Sequence, residues 1–228
     1  MIINKSKLNP LYDQYSNAEN RLTHALLHTV SSSNWLFSRF LRDLFNVNIP
    51  AVRSEFEIST QKVPSGRGDL DPEQVQSVPD AWIIEKQSKL GIAIEVKAEE
   101  GKLRRDQLLG HVRRIRNFGY QYLFVITAHH EKPKEMVELE RSNEGRKLRV
   151  EWRSWDQVYV WLAKLRTEKT RKREPESFLV DSMREYMLPQ LPSPKPCSMP
   201  ISGVSILSTI RLWSSMGGTV ITEQRRNG

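Results

Sequence analysis

Cysteine is almost missing from this sequence: Cys197 is the only one among 228 residues. One thiol excludes an intrachain disulfide and every zinc site built from cysteine clusters, and it fits a reducing compartment. Long apolar runs are missing too. No segment approaches the roughly 18 consecutive apolar residues of a bilayer span, and the opening MIINKSKLNP has no apolar stretch of the kind a secretory leader carries. A cytoplasmic protein with no membrane partner is therefore expected. Acidic charge is the scarcer sign, with 27 Asp and Glu against 35 Lys and Arg, a net charge of +8. Such an excess suits a polyanionic partner, because neutralised phosphates release counterions. It also describes an ordinary, well-solvated basic protein, and composition does not separate the two.

What is present reads as alternating helices and strands. Ser16 to Val30 has Leu22, Ala25, Leu26 and Val30 at helical spacing, and Ser33 is placed to cap a second helix carrying Leu36, Phe40, Leu41 and Leu44. Ser54–Lys62 alternates as a half-buried strand, and PSGRGDLDPEQ from Pro64 is a polar loop. Val78–Ile84 (VPDAWII) and Leu90–Lys97 (LGIAIEVK) read as strands joined by the turn EKQSK, an antiparallel hairpin. A helix over Lys102–Phe118, a buried strand YLFVIT at Tyr122–Thr127, a helix over Pro133–Arg141 and a strand at Leu148–Trp152 follow. Ser154 and Gln157 form a capping box for a helix running to Leu165. The pattern predicts an α/β domain with a mixed central sheet flanked by helices, over residues 1–170. Residues 171–228 read as a basic and Pro-rich C-terminal extension, with one short helix at Phe178–Met187 and an otherwise irregular tail.

The hairpin carries the chemistry. Glu95 and Lys97 project from one face of their strand, and the turn brings the end of that strand back beside Asp80, although Asp80 and Glu95 are 15 positions apart. Two carboxylates gathered with an ammonium repel each other, and desolvation disfavours both anions. A hard divalent cation resolves that conflict, since Mg²⁺ accepts one or two carboxylates together with waters and phosphate oxygens. The competing reading is a surface hairpin whose end is tied by a salt bridge from Lys97 to Glu95 or Glu99. Charges at the ends of apolar strands favour the first.

Pro79-Asp80 and Glu95-Val96-Lys97, in that hairpin order, resemble the PD-(D/E)xK nuclease superfamily, the restriction-endonuclease-like fold. The resemblance covers roughly residues 15–165. It implies an αβββαβ core and Mg²⁺-dependent hydrolysis of a nucleic-acid backbone, with Mn²⁺ able to substitute, in restriction, phage defence or repair. Asp80, Glu95 and the main-chain carbonyl of Val96 would be metal ligands, and Lys97 would serve the attacking water. Glu19 is the counterpart of a glutamate that members often carry on the first helix, facing the metal. It shares a helix face with Leu22 and Leu26; its rival role is a capping box with Ser16. Gln107 is placed like a glutamine that some branches carry on the helix after the Glu-x-Lys strand, and His111 lies one turn further along the same face.

For substrate, Lys102, Arg104, Arg105, Arg113 and Arg114 surround one helix and Arg67 sits in the SGRGDLD loop. Together they offer a phosphate-gripping surface, and the nuclease reading that the family resemblance implies favours DNA over RNA. Asp69 and Asp71 are alternative first acids. His24 and His28 lie four apart without the glutamate of a zinc-protease motif, and read as solvent-facing. Cleavage of both strands calls for a homodimer or paired nicks. The rival function classes are a nucleic-acid-binding module without catalysis and an interaction subunit that recruits a separate enzyme.

Overall fold

The computed structural model describes residues 2–7, 17–48, 55–60, 78–85, 90–168 and 174–191. Arg67, Asp69, Asp71, Ser16, residues 86–89 of the EKQSK turn and the tail from residue 192 lie outside them. The sheet is mixed and open, with helices on both faces. Five of its strands run from the middle of the chain: β2 (Glu55–Thr60), β3 (Ala81–Glu85), β4 (Gly91–Lys97), β5 (Tyr122–Thr127) and β6 (Arg149–Ser154). A sixth, β1 (Ile2–Lys7), pairs parallel along the outer edge of β2 and was not expected from the sequence. Strand order follows chain order. The β2–β3 and β3–β4 pairs are antiparallel, whereas β4–β5 and β5–β6 are parallel.

The helices are α1 (Ala18–Val30), α2 (Asn34–Arg39, continued by a π turn at Phe40–Leu44), α3 (Arg105–Asn117), α4 (Lys134–Arg141), α5 (Trp155–Thr167) and α6 (Glu174–Met187). Their starts follow local chemistry. Ser33 accepts from Leu36 N–H at 3.2 Å, and Ser154 and Gln157 make the expected reciprocal capping box. At α1 the cap is Asn17, whose side chain accepts from Glu19 N–H at 2.8 Å, so the carboxylate of Glu19 is left for other work.

Every residue of β4 is buried, because the sheet is covered on both sides. On one side Ile83, Ile92, Ile94, Val96, Phe124 and Ile126 pack against α1, α2, α5 and α6. On the other, Trp82, Ala93, Leu123 and Val125 meet Leu108, Val112 and Ile115 of α3 and Met136 and Leu139 of α4. Phe45 stacks on Phe124 with ring centroids 3.9 Å apart, fixing the end of the π turn against the centre of the sheet.

Three expectations need correction. His24 is buried, only 1% exposed, rather than solvent-facing, because α1 is covered on more than the face its apolar stripe marks. Burial lowers the pKa of its imidazole. The helix at 174–187 belongs to the compact unit Met1–Pro194 and not to an extension beginning at 171. Its Val180, Met183 and Met187 enter the core beside α1 and α5. Arg114, expected on the phosphate-facing surface, is 5% exposed; it lies on the sheet-facing side of α3 with His111 and Ile115.

Gly91 opens β4 where a side chain has no room. A Cβ there would lie 2.1 Å from Cγ of Tyr120, a ring already packed on Trp82 and Phe118. Gly91→Ala is expected to destabilise the fold by about 1–3 kcal/mol, the usual cost of overpacking. Urea unfolding should show a lower midpoint at unchanged slope.

Candidate active site

The register of the hairpin places the charged residues. Ala81, the first residue of β3, pairs with Ile94, so Glu95, Val96 and Lys97 run past the start of β3 and are paired only with Val125, Ile126 and Thr127 of β5. Asp80, one residue ahead of β3, uses this overhang: its Oδ2 accepts from Val96 N–H at 2.7 Å. In an extended strand the N–H and C=O of one residue leave on the same edge, so the Val96 carbonyl also points toward the Asp80 side. Alternation then sets Glu95 and Lys97 on the face of Ala93, toward α3.

Glu95 is 0% exposed, and three side chains replace its water. Gln107 donates to Oε1 at 2.6 Å, His111 Nε2 lies 2.8 Å from Oε2, and the ammonium of Lys97 is 2.7 Å from Oε1. Gln107 and His111 come from the first two turns of α3, spaced so that both reach the same carboxylate. Lys97 reaches further, to Glu19 Oε2 at 3.1 Å, and so links β4 to the first turn of α1. The main chain of Lys97 is held as well: its carbonyl accepts from Trp155 Nε1 at 3.2 Å.

Asp80, Glu95 and Glu19 thus surround one lysine. Burial pushes the Asp80 carboxyl well above the usual carboxylate range, and the negative charge of Glu95 pushes it further in the same direction. Burial would raise Glu95 too, but its hydrogen bond to His111 and the charge of Lys97 outweigh that and hold it below its ordinary value. Burial alone would favour a neutral Lys97; Glu95 and Asp80 overcome it and keep the ammonium protonated to unusually high pH. Negative charge is in excess, and Asp80 carries the strain.

Among the described residues no group of three or more His, Cys, Asp or Glu side chains is arranged to hold a metal ion. Mg²⁺ needs only one or two carboxylates, with waters and substrate oxygens completing the shell. Asp80, Glu95 and the Val96 carbonyl meet that lesser demand. A carboxylate offers about four acceptor positions, and Glu95 spends three on Gln107, His111 and Lys97. Glu19 contacts Lys97, so the structure brings it to the site through the lysine.

Of the residues expected to bind phosphate, Lys102, Arg104, Arg105 and Arg113 are exposed. Lys102 lies 3.8 Å from Glu99, Arg104 pairs with Asp106, and Arg105 lies 3.6 Å from Glu138 of α4. His111 is the contributor that the sequence marked only by its spacing from Gln107. Trp155 had no signal, because its role depends on where α5 begins in space. The chain matches no family model, no curated protein and no solved structure.

The raised Asp80 has a sign that can be tested. Its folded-state pKa exceeds the unfolded value, so it destabilises the protein increasingly as pH rises from the unfolded toward the folded pKa, and fully above both. Asp80→Asn, measured without divalent ions, should therefore raise the melting temperature at neutral pH. The gain should shrink as pH falls through the folded pKa and vanish near pH 3–4. A pH-independent difference would contradict the electrostatic origin.

Proposed function

We propose that this protein is a Mg²⁺-dependent endonuclease that hydrolyses phosphodiester bonds of DNA, with Mn²⁺ able to replace Mg²⁺. The observation that carries the reading is the convergence of Asp80, Glu95 and Lys97 on the β4 overhang, where burial and the charge of Glu95 outweigh what Lys97 and Val96 N–H supply to Asp80. A buried carboxylate kept at such cost is characteristic of a functional site. The element order α1, β2, β3, β4, α3, β5 agrees with the αβββαβ core of the restriction-endonuclease-like fold, which the Pro79-Asp80 and Glu95-Val96-Lys97 motifs resemble. The basic excess of the whole chain suits a polyanionic substrate.

Asp80, Glu95 and the Val96 carbonyl would hold the cation, which when bound supplies charge neutralisation at the scissile phosphate. The chain's own residues prepare the rest. Val96 N–H fixes the orientation of the Asp80 carboxylate, and Gln107 with His111 fixes that of Glu95. Lys97 donates a hydrogen bond to the attacking water and positions its oxygen in line with phosphorus. Glu19 steadies the ammonium while it does so. The water oxygen bonds to phosphorus and releases a proton to solvent as the bond to the 3′ oxygen breaks; the departing oxygen takes up a proton from solvent, leaving a 5′-phosphate and a 3′-hydroxyl. Lys102, Arg104, Arg105 and Arg113 are the exposed cations of α3 and its approach that would grip flanking phosphates.

Supercoiled plasmid and linear duplex, incubated with and without Mg²⁺, test the proposal. Cleavage should require the metal, and Lys97→Ala and Glu95→Gln should each lower the rate by roughly 100-fold or more. Equal cleavage by wild type and both variants, or cleavage in EDTA, would sink it. Binding without cleavage by the wild type would make the protein a nucleic-acid-binding module. Lys102→Ala and Arg113→Ala are each expected to weaken binding and to reduce the salt dependence of log K by about one, leaving the cleavage rate at saturation unchanged.

A further inference from the structure

Glu95 is fully buried, and the direction in which its lone pairs point is set by its protein donors. Lys97 is one of these, but under the proposed function it must also serve the attacking water, so it cannot be a permanent fixture. That leaves the pair from α3. Gln107 holds Oε1 at 2.6 Å and His111 holds Oε2 at 2.8 Å, one donor per oxygen, from two successive turns of one helix. Two bonds from a rigid base fix both the position of the carboxylate and its rotation about the Cγ–Cδ bond, which a single bond leaves loose.

The two donors differ in what else constrains them. His111 is 0% exposed, one of the buried residues of α3 together with Leu108, Val112 and Ile115. Gln107 is only half-buried and has a longer, more flexible side chain. An imidazole has two side-chain torsions, so a buried ring holds its nitrogen more precisely than a half-exposed amide. We propose that His111 is a positioning residue that fixes the Glu95 carboxylate for cation binding. It touches neither cation nor substrate; it acts by presenting a free lone pair of Glu95 toward Asp80 and the Val96 carbonyl. This inference rests on the reading of the site as a divalent-cation centre. Hydrogen-bond partners of ligating carboxylates and imidazoles typically contribute roughly 10- to 100-fold to metal affinity.

Two amide replacements isolate the effect, since they differ by one methylene. The side-chain nitrogen of Gln, placed where His111 Nε2 lies, reaches Glu95; that of Asn falls short. Mn²⁺ binding measured by calorimetry on the intact chain, without nucleic acid, should show His111→Gln within a few-fold of wild type. His111→Asn should bind roughly 10- to 100-fold more weakly, with both variants melting cooperatively. In plasmid cleavage, the Mn²⁺ concentration for half-maximal rate should rise for His111→Asn by the same factor, while the affinity for DNA in EDTA stays unchanged. Wild-type affinity in His111→Asn, or equal weakening in both variants, would overturn the positioning role while leaving the nuclease reading intact. A wild-type protein that binds no Mn²⁺ would overturn the cation centre itself, and the role of His111 with it.

Discussion

The organisation of this molecule turns on one carboxylate that has no access to water. Glu95 lies on a strand buried at every position, and an anion there is tolerable only if protein donors replace its hydration. That requirement accounts for an otherwise odd set of polar residues in apolar surroundings. α3 presents Gln107 and His111 instead of two more leucines, and β4 ends in a lysine two residues on. Each of these is expensive alone and acceptable only in company. Asp80 is the group the arrangement leaves short, because it is buried beside the negative charge of Glu95.

The sheet creates the place for this cluster by changing its pairing mode at β4. On one side β4 runs antiparallel to β3, on the other parallel to β5. Because β3 begins late, the last turn-and-a-half of pleat on β4 keeps one neighbour and exposes one edge. A backbone edge in the protein interior must be satisfied, and Asp80 does so at Val96 N–H. The same edge that β3 leaves open is thus what brings the Asp80 side chain to β4.

Much of this was legible beforehand, for identifiable reasons. Strand alternation alone puts Glu95 and Lys97 on one face, and the EKQSK turn brings Asp80 to them. Helical spacing linked Gln107 to His111. Glu19 was ambiguous between a cap and the site, and Asn17 resolves it by taking over the cap. The failures share a cause. Periodicity reports which face of a helix is most apolar, not how many faces are covered, so His24 and Arg114 were placed in solvent when packing surrounds them. β1 has the composition of a polar segment, and only its partner β2 makes it a strand. The membership of α6 in the core was written in Val180, Met183 and Met187, spaced three and four apart, but the basic run ahead of it suggested a boundary.

The attachment of α6 has a temporal meaning. Arg21, two residues from Glu19, donates to Gln190 Oε1 at 3.0 and 3.2 Å just beyond the end of α6, and α6 packs beside α1. The helix that carries Glu19 to Lys97 is thus secured by some of the last described residues to be synthesised. On the ribosome, α1 emerges early and must wait for about 160 further residues before that brace exists, a delay set by chain growth of roughly 5–20 residues per second. An incomplete nascent chain would hold the pieces of the site without the frame that aligns them.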